Sequence, residues 1–452
     1  MYHNTLKNSS SHNCEITEMT TDRYLNPNDI SLPPGYKIEV FIQGLDAPSC
    51  IAFDQSGNLY IGESGYITKE PSILKYNGQF SRITDGFYPP LTGICIHNED
   101  IFVSHHCTVT VIKKDGTRKN IISGLPSQGD HWNSNVTIGM DNKLYFGQGT
   151  ATNSGVVGND NHWVSDCPYL CDFPGSYVML NGQNYKTENI FSQVHEYVET
   201  GAFSPYGIPN IPYETRKGIL KASGSILRAN LDGSGLELVA WGLRFPTYVK
   251  FDHSNNLYAA NQGYEVRGSR PIANAPDEFQ LIKQGVWYGF PDYAGGEPVT
   301  LDRFRPDGKH QPQFLLVNHP NTPPHPYAIF PPHSYITGFD FNYNEDFGPI
   351  GDVYIAEFGM GGRLPNQDVS PYSGRGHKVS KIDMDTRGIT TFAMNKAGFS
   401  SSITRGGGLS RPVDIAFSPE GDMYVVDMGI NSISNYSYYY PNTGVVWKIS
   451  RI

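Results

Sequence analysis

Apolar and polar positions along the chain recur as a unit. A short apolar run leads into a turn of Asp, Asn or Gly, followed by a second run usually written as an aliphatic residue and Tyr. The unit appears as LDAPSCIAFDQSGNLYIGESG (45–65), PLTGICIHNEDIFVSHHC (90–107) and HWNSNVTIGMDNKLYFGQG (131–149). It returns as RFPTYVKFDHSNNLYAANQG (244–263), YITGFDFNYNEDFGPIGDVYIAEFG (335–359) and RPVDIAFSPEGDMYVVDMG (411–429). Further strand-like runs follow several copies, such as GSILRANLDGSGLELVAWG with its Asp-Gly hairpin turn. Four strands per unit and six units predict an all-β chain, a six-bladed β-propeller with long loop insertions on its ligand face. A β-sandwich would not produce six copies of one motif. GYKIEVFIQGL (35–45) precedes the first unit and is expected to pair with the terminal GVVWKISRI, closing the ring.

Composition supports this reading. Gly 48, Pro 32 and Tyr 29 are high and charged residues make up only 17%, a profile of short strands and turns. The formal net charge of −10 argues against a nucleic-acid partner. No run of eighteen apolar residues is present, so no membrane span is expected. Residues 1–31 read as a disordered polar leader without the apolar segment of a signal peptide, and 32–452 as the propeller. The spacing of Cys167 and Cys171 fits a local disulfide or two free thiols equally.

Connectivity then nominates a face. The DxxGN-type turns join the first two strands of each unit on one side of the disc. Residues leading into first strands and those ending second strands gather on the other. That face collects Thr92, His131, Arg244, Thr337 and Arg411 from the former, and Glu63, His105, Gln148, Asn261, Glu357 and Asp427 from the latter. A polar ring at a channel mouth is where a propeller binds a small ligand. Three connections, 150–220, 264–330 and 360–376, exceed what a hairpin needs and are expected to wall the pocket.

Three stretches carry a family resemblance: the His131 segment, GLRFPTYVKF after Gly242, and APDEFQLIKQGVWYGFPDYAGGEP (275–298). In these the chain resembles the glucose/sorbosone dehydrogenases, soluble six-bladed propellers that use pyrroloquinoline quinone (PQQ), in their sorbosone-dehydrogenase-like branch. The resemblance spans about residues 32–452 and implies oxidation of a sugar or sugar-derived aldehyde or alcohol, with hydride transfer to the quinone and an external electron acceptor. It implies His131 as the base, since an imidazole near neutral pKa can take a hydroxyl proton. Arg244 matches an arginine at the quinone carbonyls. The Gly263 carbonyl, with that of Tyr264, would hold Ca2+. Arg375 takes roughly the place of an arginine that pairs with PQQ carboxylates, and Gln148, Asn261 and Arg411 complete the expected cofactor contacts. Family analogy places such proteins in the periplasm or outside the cell.

The chain also departs from the pattern. Thr150 stands where the family has an Asp that orients the base, Phe245 where it has Asn, and a Gln expected near LTGI is missing. Two other function classes therefore remain in view. One is a gluconolactonase-like hydrolase with a metal held by Glu63, Asn261 and Asp427. The other is a non-catalytic propeller binding carbohydrate or protein.

Overall fold

The computed structural model describes residues 23–360, 375–432 and 437–452. Its six antiparallel blades start at inner strands Pro48–Phe53, Leu91–His97, Asn133–Ile138, Phe245–Phe251, Ile336–Phe341 and Pro412–Phe417, numbered here blades 1 to 6. The closure is as expected. Strand Tyr36–Leu45 pairs antiparallel with Gly444–Arg451, so the N-terminal segment supplies the outer strand of blade 6. No helix among the described residues is long and apolar enough to cross a membrane.

Each interior strand is buried on both faces, which explains its nearly unbroken apolar run. In Lys143–Gln148, Leu144 and Phe146 pack toward Phe102, Val109 and Val111 of blade 2. Tyr145, pointing the other way, packs with Val249, Leu257 and Ala259 of blade 4. The core is thus a set of layers between blades, produced by the two-residue alternation of strand side chains.

Polar inner-strand residues tie neighbouring blades together around the axis. Asn135 accepts from the backbone N–H of Val249 at 2.8 Å and donates to its carbonyl at 3.0 Å. Asp340 accepts from Phe417 N and Asp414 from Ile51 N, each at 3.0 Å. The packing there is tight: a Cβ on Gly338 would lie 2.2 Å from Asp414 Oδ1. Burial pushes the Asp414 carboxyl up to about 7, against the pull of the Ile51 N–H and Lys250. Its folded pKa exceeds the unfolded value of about 3.9, so the folded state holds a proton that the unfolded chain releases. This contribution to stability is full below about pH 4 and is lost as pH rises through about 7. Denaturant titrations across that range should show the decline, and Asp414→Asn should flatten it; an unchanged slope would remove Asp414 as its source.

Two expectations change. The leader ends earlier than residue 31, because Ile30 and Ser31 add a fifth strand to blade 5 by pairing with Asn395 and Met394. Arg23 also forms a buried ion pair with Asp427 at 2.7 Å; residues 1–22 lie outside the described residues. The span 264–330 is not one connection, since Asp277–Ile282 within it is the third strand of blade 4. The apolar run FQLI is a buried strand flanked by long polar segments, which hid it from the pattern. Chain 283–288 then runs along blade 3's outer strand, bridging Trp287 to Trp241 in parallel. Of the two alternatives left open for Cys167 and Cys171, the structure shows free thiols. Most of 360–376 lies outside the described residues.

Candidate functional site

All six inner strands carry a β-bulge near their first residues, between Pro48/Cys50, Leu91/Gly93, Asn133/Val136, Pro246/Tyr248, Ile336/Phe339 and Pro412/Asp414. A bulge re-aims the residue it leaves unpaired. The residues so placed, Ser49, Thr92, Ser134, Thr247, Thr337 and Val413, all line one cavity at the channel mouth. Their hydroxyls turn back to backbone, as with Ser49 to Leu91 O at 2.7 Å and Thr247 to Ile336 O at 2.9 Å. The cavity floor is therefore small and largely apolar in character. Sequence reading found Thr92 and Thr337 but missed the ring. Its signal was a small or β-branched residue, Ser or Thr in five of six copies, at one position of every inner strand.

The cavity has a volume of about 530 Å³, within the range of small-molecule sites. Its walls are aromatic: Tyr66, Trp132, Phe245, Tyr335, Phe358 and Tyr439. Tyr439 stacks on Tyr66 at 6.0 Å, Tyr66 meets Trp132 edge-on at 6.4 Å, and Trp132 meets Phe245 at 5.8 Å. The insertions expected as walls, 150–220 and 264–330, contribute no residue to this lining. The segment after blade 6's second strand does, through Met428, Asn431 and Tyr439. Arg411 brings a positive charge to the wall. Its guanidinium donates to Gly359 O at 2.7 Å and Asn431 Oδ1 at 3.1 Å, and lies 4.9 Å above the Phe358 ring.

His131 sits one layer behind. It is buried, and its ring tilts against Phe245 with centroids 4.7 Å apart. Gly149 permits this placement, because a Cβ there would lie 2.4 Å from His131 Cβ. Its Nδ1 lies 3.0 Å from both the carbonyl oxygen and Oγ1 of Thr150. The Thr150 hydroxyl already donates to Thr152 O at 2.7 Å. Both Thr150 oxygens therefore accept, so Nδ1 carries the hydrogen and Nε2 presents a lone pair. Burial holds the imidazole well below its ordinary pKa, with Arg244 and Arg267 adding to the effect and Glu265 opposing it. The ring is neutral at pH 7 and in the tautomer a base requires.

Arg244 does not reach the cavity. It is buried, donating to Asn153 O at 3.0 Å and Asn153 Oδ1 at 2.9 Å, and pairs with Glu265 at 3.3 Å. Burial would raise the Glu265 carboxyl, but Arg244 and Arg267 outweigh it and hold it far below the usual range. Glu265 in turn accepts from the Tyr335 hydroxyl at 2.7 Å, and Tyr335 does line the cavity. Arg244 thus acts on the site through Glu265 and Tyr335, neither of which the sequence singled out.

The residues at second-strand ends turn away from the cavity. Asn261, Asp427, Glu63 and His105 each accept from the backbone near the start of their own blade, while Gln148 and Glu357 bond side chains or other backbone of theirs. Asn261 accepts from Arg244 N and Phe245 N, both at 3.0 Å, and Asp427 from Ser410 N at 2.7 Å and Arg411 N at 2.9 Å. Glu63 accepts from Asp46 N, and His105 from Tyr88 N. Gln148 accepts from Ser127 and donates to Pro126 O and Gly149 O. Glu357 accepts from Ser380 at 2.5 Å. These groups satisfy buried backbone N–H and side chains, and none of them lines the cavity. The metal ring of a lactonase is therefore not formed by Glu63, Asn261 and Asp427. Among the described residues no group of three or more His, Cys, Asp and Glu could hold a metal ion. Arg375 donates to Pro332 O at 3.1 Å and is likewise outside the cavity lining.

The two groups implied by the resemblance fare differently. A flat tricyclic quinone fits the cavity in volume, in its aromatic walls and in the cation at Arg411. Calcium at Gly263 and Tyr264 does not fit. These residues border a void of about 10 Å³, close to one water molecule, and not the large cavity. The carboxylate there, Glu278, already accepts from Gly295 N, Asn261 and Gln280. A Ca2+ ion needs six to eight oxygen ligands.

Comparison with known proteins matches this fold. No family model matches the chain. Quinoprotein glucose dehydrogenase B of Acinetobacter calcoaceticus is 25% identical over 187 residues, covering 39% of this chain and 29% of that protein. The match thus spans under a third of that relative's length. The PQQ domain of a pyranose dehydrogenase from Coprinopsis cinerea superposes with a TM-score of 0.57 at 15% identity, over 95% of this chain and 98% of that one. A PQQ-bound aldose sugar dehydrogenase from Streptomyces coelicolor gives 0.52 at 14%, over 93% and 100%. These structures share the six-bladed fold, and the sequence match agrees with the resemblance drawn from the His131 and Arg244 stretches.

Proposed function

We propose that this chain is a PQQ-dependent oxidoreductase acting on a sugar or sugar-derived aldehyde or alcohol of the aldose/sorbosone class. The observation that carries the reading is the aromatic-walled cavity with a neutral imidazole, Nε2 unprotonated, packed behind one wall. When bound, the quinone would supply a two-electron acceptor, with an external acceptor taking the electrons on. Trp132 and Phe245 offer flat faces to a planar ring system, and Arg411 attracts its carboxylates. His131 takes the substrate hydroxyl proton at Nε2. Phe245 packs on the imidazole and lines the cavity, so its ring stands between the cavity and His131 and must move for that transfer. Thr150 orients His131 without a charge; Glu265 favours the imidazolium through space, against the larger opposing effects of burial, Arg244 and Arg267.

The test is reconstitution. Purified protein with PQQ, with and without calcium, is expected to reduce a dye in the presence of aldoses, and turnover should require the quinone. Absence of both quinone binding and turnover would overturn the proposal. Saturable sugar binding without quinone-dependent turnover would favour the non-catalytic carbohydrate-binding propeller.

A further inference from the structure

The family's orienting carboxylate is missing at Thr150, yet a buried carboxylate stands close behind it. Asp172, in the blade 3 insertion, is 1% exposed. Its Oδ1 accepts from Ala151 N at 2.6 Å and its Oδ2 from the Thr152 hydroxyl at 2.5 Å. Thr152 Oγ1 also accepts from Gly155 N at 2.8 Å, so its hydrogen is directed to Asp172. With Thr152 pinned, its carbonyl receives the Thr150 hydroxyl, and the Thr150 oxygens face His131 Nδ1. Asp172 thus fixes the 150–152 turn through one backbone N–H and one hydroxyl, and that turn presents the carbonyl and hydroxyl oxygens of Thr150 to Nδ1.

We propose that Asp172 is the positioning residue for His131, acting by anchoring the 150–152 turn whose Thr150 oxygens hold Nδ1. The inference rests on the proposed role of His131 as base. If the 150–152 turn were released, both Thr150 acceptors would move away from Nδ1, and the ring would lose the contacts that hold its Nδ1–H tautomer and its orientation. Asp172 thus does for orientation what the missing carboxylate does by direct contact, while leaving the imidazole uncharged. The groups facing Asp172 are Thr152, Ala151 N and the Ser223 hydroxyl, with Asp130 as the nearby carboxylate and Cys171 adjacent. Burial pushes its carboxyl up to about 6, so the hydrogen-bond chain weakens on acidification in a range where His131 itself, held well below its ordinary value, stays neutral.

The experiment is nitrogen-15 NMR of the histidine rings in the full chain, comparing wild type with Asp172→Asn and Thr152→Val, together with steady-state kinetics after PQQ addition. Wild type should show His131 as the Nδ1–H tautomer. Both variants should shift it toward a mixture and lower kcat by about 10- to 100-fold with KM little changed, a size usual for groups that orient a functional imidazole. The acid limb of the wild-type kcat profile near pH 6 should disappear in Asp172→Asn. Unchanged His131 resonances in folded Thr152→Val, the near-isosteric variant, would overturn the proposal. If wild type shows no turnover but the tautomer still responds to both variants, the positioning role stands and the dehydrogenase reading falls.

Discussion

Replacing His131 by Gln is expected to lower kcat by roughly 10²- to 10⁴-fold, the range for removing a positioned general base. Quinone binding should persist, because His131 is not part of the cavity lining. The two readouts together matter. A structural histidine in a buried loop would lower both through misfolding, whereas a base lowers turnover alone. Circular dichroism and quinone titration of the variant supply the control. A loss of less than about tenfold would show that proton removal is not performed by this residue.

The second large effect concerns the scaffold. Arg270 is buried with Asp292, at 3.1 Å and with side chains 1% and 0% exposed. It also donates to Ser154 O and Gln313 O, stapling the blade 3 insertion to the blade 4 insertion. Asp292 accepts from Leu315 N, Leu316 N and His319. Arg270→Met removes the cation and leaves a buried carboxylate, which costs about 3–5 kcal/mol. Urea unfolding should register the loss, and limited proteolysis should cut within 264–330 faster. A change below about 1 kcal/mol would mean that the insertions are held by their apolar contacts alone. Those contacts are substantial, since Trp241, Trp287, Leu315 and Leu316 share one buried cluster.

The sequence carried the propeller because each blade repeats a turn and an aliphatic-Tyr strand, and because Gly35–Leu45 and the C-terminal strand both read as β without a partner of their own. It singled out His131 through the family resemblance of its segment. It did not carry which polar residues face the ligand. Asn261 and Asp427 look like site residues in one dimension, but their side chains are consumed by the backbone N–H groups of Arg244 and Arg411. Ser49 and Thr247 look ordinary, yet a bulge turns them to the axis. Bulges depend on register between strands, which alternation along one strand does not encode. Asp172 was hidden for a related reason. It lies 22 residues beyond Thr150 in the sequence and meets the turn only because the insertion folds back onto it.

The central claim is that the aromatic cavity beside His131 receives a planar quinone. A crystal structure of the protein soaked with PQQ tests it most directly. The account predicts the quinone inside the cavity bounded by Trp132, Phe245 and Arg411, with Phe245 displaced from the His131 ring. A quinone bound elsewhere, or a cavity left without it at saturating PQQ, would contradict the account.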